Sequence, residues 1–158
     1  MKTLIIFGSK YGGTKQVAEK IAAELGDTKL CNAAKDPVPE VDQFDCIVVG
    51  SGLYANSIHP AVKSFVDANT SILLNKKIGI FLAGLENSER DEPFTHNFPE
   101  AVLKHASARE MTGGIVDPKT LGFFTRILMR MITKTSKYHS TVSEDKIRKF
   151  AAALKTNA

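Results

Sequence analysis

The sequence predicts a doubly wound α/β domain: a five-stranded parallel sheet with helices on both faces, spanning residues 1–158 as one unit. Three observations predict it. Apolar runs of strand length at 2–8, 46–49 and 77–83 each lead into glycine, and each is followed by a loop and a helix-forming stretch. Runs that are apolar throughout, rather than alternating, suit strands covered on both faces, as in parallel sheets with right-handed crossovers. A length of 158 residues, 43% of them apolar and 24% charged, fits one domain with a core of ordinary size.

Lys2 to Gly8 reads as the first strand, and Thr14 to Leu25 as the helix after it, because Val17, Ala18, Ile21, Ala22 and Leu25 recur at helical spacing. Thr28 to Cys31 reads as a short second strand. Pro37 and Pro39 leave room for only one or two helical turns between Asn32 and Phe44. Cys46 to Val49 is the third strand, ending at Gly50, and Pro60 to Ala68 the next helix, with Pro60 suited to a first turn. Lys77 to Ala83 is the fourth strand. A helix starting near Pro93 or Pro99 runs to His105, Arg109 to Thr112 is the fifth strand, and Ser143 to Leu154 is a closing amphipathic helix with Ser143 as its N-cap.

A formal net charge of +4 is too small to argue for nucleic acid. Cys31 and Cys46 share no CxxC or metal-ligand spacing and fall in strands, so structural burial is expected of both. Neither a signal peptide nor a membrane-spanning run is legible, which predicts a cytoplasmic location. The four histidines form no metal-ligand pair, and no metal is expected. His59 follows the third-strand loop, either as an exposed residue at a helix start or as a proton donor to a ligand there. The run from Glu86 to Glu92 reads as a solvated loop.

Ligands of such sheets bind beyond the carboxyl ends of the strands, at the switch point of strand order. The first of these loops is Ser9-Lys10-Tyr11-Gly12-Gly13-Thr14, with two hydroxyl groups, two glycines and a helix start behind it. That composition makes a phosphate cradle, the alternative being a turn that only links strand to helix. A Walker loop would need Gly-Lys-Ser/Thr where Gly13-Thr14-Lys15 stands, and no GxGxxG follows the first strand. The loop also lacks the acidic residues of a phosphoryl-accepting receiver. The second loop, Gly50-Ser51-Gly52-Leu53-Tyr54-Ala55-Asn56, offers permissive glycines and a tyrosine able to lie against an aromatic ring or to lid the core. The third is Ala83-Gly84-Leu85-Glu86-Asn87.

On these loops the chain resembles the flavodoxin superfamily, and more closely its menaquinone-dependent protoporphyrinogen dehydrogenases and their small relatives. The stretches that carry the resemblance are Ile5 to Thr14, Val48 to Tyr54 with His59-Pro60, Gly79 to Ala83, and Gly113-Gly114 to Met131. The resemblance implies strand order 2-1-3-4-5 and FMN as cofactor. It places the phosphate on Ser9, Lys10, Tyr11, Gly12, Gly13 and Thr14. The isoalloxazine then falls against Ser51, Gly52, Leu53, Tyr54 and Ala55 and against Ala83, Gly84 and Leu85, with a peptide near Gly50 to Gly52 able to turn its carbonyl towards flavin N5. Flavodoxins commonly place a second aromatic in the third loop; none is present and the chain has no Trp, which leaves one flavin face either open or covered by another part of the chain. The implied activity is FMN-dependent oxidation of a porphyrinogen with electrons passed to a quinone or another acceptor. The alternatives are a small electron carrier docking on redox partner proteins, which the positive charge disfavours, and a flavodoxin-fold binding module without cofactor.

Short flavodoxins pass almost directly from the fifth strand to the last helix, whereas here an insertion at about 115–140 intervenes. From Lys119 to Lys137 it carries Lys119, Arg126, Arg130, Lys134 and Lys137 and no Asp or Glu. As a helix it would show Phe124, Ile127, Leu128 and Met131 on one face and Arg126, Arg130 and Lys134 on another. Such a helix can lie peripherally on an anionic membrane, dock a partner or bind acidic ligands; the plainer reading is a core-packing helix with solvated cations.

Overall fold

The first strand, β1 (Thr3–Gly8), is buried at every position. Its side chains alternate between two cores, Leu4 and Ile6 on one face and Ile5 and Phe7 on the other. Each such side chain stabilises the fold by about 1.5–3 kcal/mol through burial. In the computed structural model, which describes residues 1–84, 90–120, 122–123, 126–127, 130–131 and 138–156, β1 is an interior strand of the predicted sheet.

Helix α1 (Gly13–Leu25) follows β1, then β2 (Thr28–Asn32), a single 3-10 turn at Val41–Gln43, and β3 (Cys46–Gly52). Helix α2 (Pro60–Leu73), β4 (Lys77–Ala83), the short helices α3 (Glu92–Asn97) and α4 (Glu100–His105) and β5 (Ala108–Met111) complete the sheet, whose order is β2-β1-β3-β4-β5. All four pairings are parallel. Helices α1 and α5 (Glu144–Thr156) cover one face through Val17, Ile21, Ile147, Phe150 and Leu154. On the other face α2, α3 and α4 contribute Val62, Phe65, Leu73, Phe94 and Val102.

Several bounds differ from expectation for local reasons. Strand β3 continues through Gly50, Ser51 and Gly52 because Ser51 pairs with Gly8 and Gly52 with Ala83. The segment expected as a loop therefore begins only at Leu53. Gly50 is needed inside the sheet, since a Cβ there would lie 2.0 Å from the Phe81 ring. Helix α2 runs on past Ala68 to Leu73, and Asn69 and Thr70 do not break it. Their side chains donate back to the carbonyls of Phe65 and Val66, at 2.8 Å each. Both proposed starts near Pro93 and Pro99 are used, because Phe98, in the extended conformation that a following proline favours, divides the segment into α3 and α4.

The insertion is rooted in a two-residue antiparallel pair that sequence patterning did not announce, β6 (Ile115–Val116) with β7 (His139–Ser140). Phe123, Arg126, Ile127, Arg130 and Met131 are helical. Ile127 is 47% exposed and Met131 74%, so neither packs into the core. Phe124, Leu128 and Lys134 lie outside the described residues. Among the described residues, no helix is long and apolar enough to cross a membrane.

Candidate functional site

Parallel register brings Gly8, Ser51 and Leu82 level at one end of the sheet, with Gly52 and Ala83 one residue further on, and the loops that follow enclose a cleft there. After β1 the chain turns sharply under Gly12, at φ 86° and ψ −18°, where Ser9 Oγ accepts the Gly12 N–H at 3.0 Å. The turn feeds the amino end of α1, whose first helical bond runs from Gln16 N–H to the Gly12 carbonyl at 3.2 Å. The N–H groups of Gly13, Thr14 and Lys15 are then those a helix start leaves without an intrahelical acceptor, and they sit at the positive end of its dipole. Gly13 admits no side chain, because a Cβ there would be 2.2 Å from the Ile115 carbonyl oxygen. The root of the insertion thus rests directly on this loop.

Beyond β3 the chain makes a tight turn, Tyr54 to Ser57, closed by reciprocal backbone bonds of 2.8 and 3.0 Å. Both central residues are left-handed, Ala55 at φ 50° and Asn56 at φ 63°, a conformation in which alanine is strained. Buried polar groups fix the far side of the turn. Asn97 on α3 accepts the Ile58 N–H at 2.9 Å and donates to the Asn56 carbonyl at 2.9 Å. Ser51, fully buried, accepts the His59 N–H at 2.8 Å and donates to the Gly52 carbonyl at 2.8 Å. Leu53 N–H reaches the Ala83 carbonyl at 3.2 Å, joining this loop to the end of β4.

Tyr54 spans from the second loop to the first. Its hydroxyl accepts the Lys10 backbone N–H at 3.0 Å and shares a hydrogen bond with Thr14. Burial pushes the phenol above its ordinary range, partly offset by these two bonds. The ring meets Tyr11 and His59 edge-on, each with centroids 6.4 Å apart, and Lys10 Nζ lies 5.3 Å from the Tyr11 ring and 6.0 Å from the Tyr54 ring. His59 is the N-cap of α2: its Nδ1 accepts the Ala61 N–H at 3.2 Å, which leaves Nε2 as the proton-bearing nitrogen of the neutral ring.

Of the residues singled out from sequence, Ser9, Tyr11, Gly13, Thr14, Gly52, Leu53, Tyr54, Ala83 and Gly84 line the cleft, whose volume is about 210 Å³. Lys10 is exposed, Gly12 shapes the turn, Ser51 lies beneath the floor and Ala55 is at the exposed turn tip. Leu85 lies outside the described residues. Sequence reasoning missed Gly114, Ile115 and Val116, which form the third wall, and Asn97, which holds the second loop. The cysteines are remote and buried; at Cys46 burial pushes the thiol up to about 11, and Cys31 is raised by the same cause. Neither supplies a thiolate near neutral pH.

The cleft is polar where the hydroxyls of Ser9 and Thr14 meet the amino end of α1, and apolar along Leu53, Ala83, Ile115 and Val116. That is the lining a planar ring with an anionic tail requires. A Cβ added at Gly52 would stand 2.9 Å from the Tyr54 hydroxyl and 3.0 Å from Thr14 Oγ1, so glycine keeps the passage between tail and ring open.

Among curated proteins, protoporphyrinogen IX dehydrogenase [quinone] of Escherichia coli strain K12 is 23% identical over 147 residues, covering 86% of this chain and 81% of the relative. Among solved structures, oxidised flavodoxin 1 of Bacillus cereus superposes with a TM-score of 0.62 at 17% identity, over 100% of this chain and 99% of the other. A flavodoxin from the domain Archaea gives 0.56 at 16% identity, over 98% and 99%. The flavodoxin domain family matches residues 4–143. With that match, and the 2-1-3-4-5 sheet beneath it, the chain belongs to the flavodoxin domain family.

Proposed function

We propose that this protein is an FMN-dependent oxidoreductase, with the flavin phosphate held by Ser9 to Thr14 and the ring lying between the Leu53–Ala55 segment and Ala83–Gly84. The observation that carries the reading is the convergence of two hydroxyls and the amino end of α1 on the polar head of an otherwise apolar cleft. When bound, FMN supplies hydride and single-electron chemistry at its ring; the protein supplies binding, orientation and electrostatics. Ser9 and Thr14 donate to the phosphate together with the N–H groups at the start of α1. Leu53, Ile115 and Val116 keep water from the ring. The strand-end glycines Gly52 and Gly84 allow it to approach the backbone.

The finer reading is oxidation of a porphyrinogen with electrons passed to a quinone. It is supported by the name of the E. coli relative and by a third loop, Ala83 to Asn87, whose sequence holds no aromatic residue to cover the ring against a bulky reductant. Exposed Phe123, Ile127 and Met131 beside exposed Arg126 and Arg130 suit an anionic membrane surface, where quinones reside.

The test is retention of flavin after desalting, for FMN and for riboflavin, in the parent and in Ser9→Asp. Aspartate keeps an acceptor for the Gly12 N–H and adds a negative charge to the cradle. The expected outcome is FMN retained by the parent and lost by Ser9→Asp, with weak riboflavin binding equal in both. A parent that retains no FMN overturns the reading. An FMN-loaded parent that accepts electrons from a flavodoxin reductase and turns over no protoporphyrinogen IX with a quinone would instead be an electron carrier.

A further inference from the structure

We propose that Tyr54 is a latch over the phosphate loop: its phenol oxygen takes donors that a ligand phosphate would take, so the two exclude each other. The proposal rests on the FMN reading for the identity of the ligand. Three observations carry it. The Tyr54 hydroxyl accepts the Lys10 backbone N–H at 3.0 Å and is bonded to Thr14, so a side chain from another loop places an oxygen against two donors of the phosphate loop. The loop is otherwise partly spoken for, since the Gly12 N–H is held by Ser9. Finally, Tyr54 opens the turn through strained Ala55 and Asn56, while the backbone downstream is fixed by Asn97 and Ser51.

That arrangement is a lever with a firm base. Rotation of the Tyr54 side chain frees Lys10 and Thr14 without breaking the Asn97 clamp or the Ser51 bonds. The ring leaves edge contacts with Tyr11 and His59 and the Lys10 ammonium 6.0 Å from its centroid. A phosphate dianion replaces the phenol oxygen with advantage, because hydrogen bonds to a charged acceptor are about twice as strong as neutral ones. Riboflavin carries no phosphate and gains nothing from the exchange. Closure weakens apparent FMN affinity by the fraction of molecules in which the latch stands open. With the hydroxyl holding one or two net hydrogen bonds, that factor is about tenfold.

Tyr54→Phe keeps the ring and removes the hydroxyl. Its FMN affinity, followed by flavin fluorescence, is expected to rise about tenfold over the parent, and by more than its riboflavin affinity changes. Equal or weaker FMN binding by a variant whose thermal melt shows it folded overturns the latch while leaving the FMN reading intact. A second measurement uses inorganic phosphate and the parent protein labelled at the tyrosine ζ-carbon, with the three resonances assigned through Tyr11→Phe and Tyr138→Phe. Phosphate is expected to shift the Tyr54 resonance as its hydroxyl leaves Lys10. A Tyr54 resonance that stays in place overturns the latch, and this arm decides the matter if the parent binds no FMN or if Tyr54→Phe does not fold.

Discussion

Cys46, at the buried start of β3, converts burial into a pH dependence of stability. Its thiol is raised to about 11 by burial, with Lys77 opposing the shift. Below the ordinary thiol range both folded and unfolded chains keep the proton. Between that range and about 11 only the unfolded thiol ionises, so stability falls as pH rises through the window, by up to ~2–3 kcal/mol. Urea midpoints across this range should fall more steeply for the parent than for Cys46→Ala; equal slopes would rule the effect out. Asn97 offers a second prediction at this scale. Replacing it with Ala strips partners from the Ile58 N–H and the Asn56 carbonyl, costs about 1–3 kcal/mol and speeds amide exchange of the turn. Unchanged exchange at Ile58 would mean that the turn does not need the clamp. Asn97 was illegible in the sequence because its partners lie 41 and 39 residues away. A lone polar residue on a short helix announces nothing about such distant bonds.

Three of the five sheet strands, β1, β3 and β4, were legible because they are apolar over most of their length and meet glycine, whereas the strand order came from the family resemblance. Legibility failed where elements are short or where two rules compete. The β6 and β7 pair has two residues per strand, too few for any period. At Gly50 to Gly52 turn-forming composition argued for a loop, and sheet register, with a neighbouring ring that fills the space of a side chain, won. Gly50→Ala tests this: its Cβ would lie 2.0 Å from the ring of Phe81, a fully buried residue. We expect destabilisation of at least ~1–3 kcal/mol from overpacking, partly relieved by adding Phe81→Leu. A thermal melt like that of the parent would show that β3 and β4 yield more easily than their register implies. In the first loop the residue types were legible, whereas the reason for Gly13 was not, since it depends on Ile115 arriving from the insertion.

Over the whole molecule, the net charge of +4 is small, and its placement matters more than its size. The stretch from Lys119 to Lys137 holds five cations and no Asp or Glu. The protein is expected to sediment with vesicles rich in anionic lipid at low ionic strength and to be released by salt. Arg126→Glu with Arg130→Glu should remain in the supernatant while keeping the parent's FMN affinity. Equal sedimentation of parent and variant would exclude these arginines as the membrane contact. The two ends of this stretch return to neighbouring points, because Val116 pairs with His139 and the Thr141 N–H donates to the Gly114 carbonyl at 2.9 Å. Such a closed neck makes the segment a socket. Chain can be lengthened, shortened or exchanged above it with little strain on the sheet below, since closure entropy grows slowly with length, by about 0.6 kcal/mol per doubling. A scaffold built in this way can acquire new docking partners by changing what is plugged into the neck, with the cleft beside it left as it was.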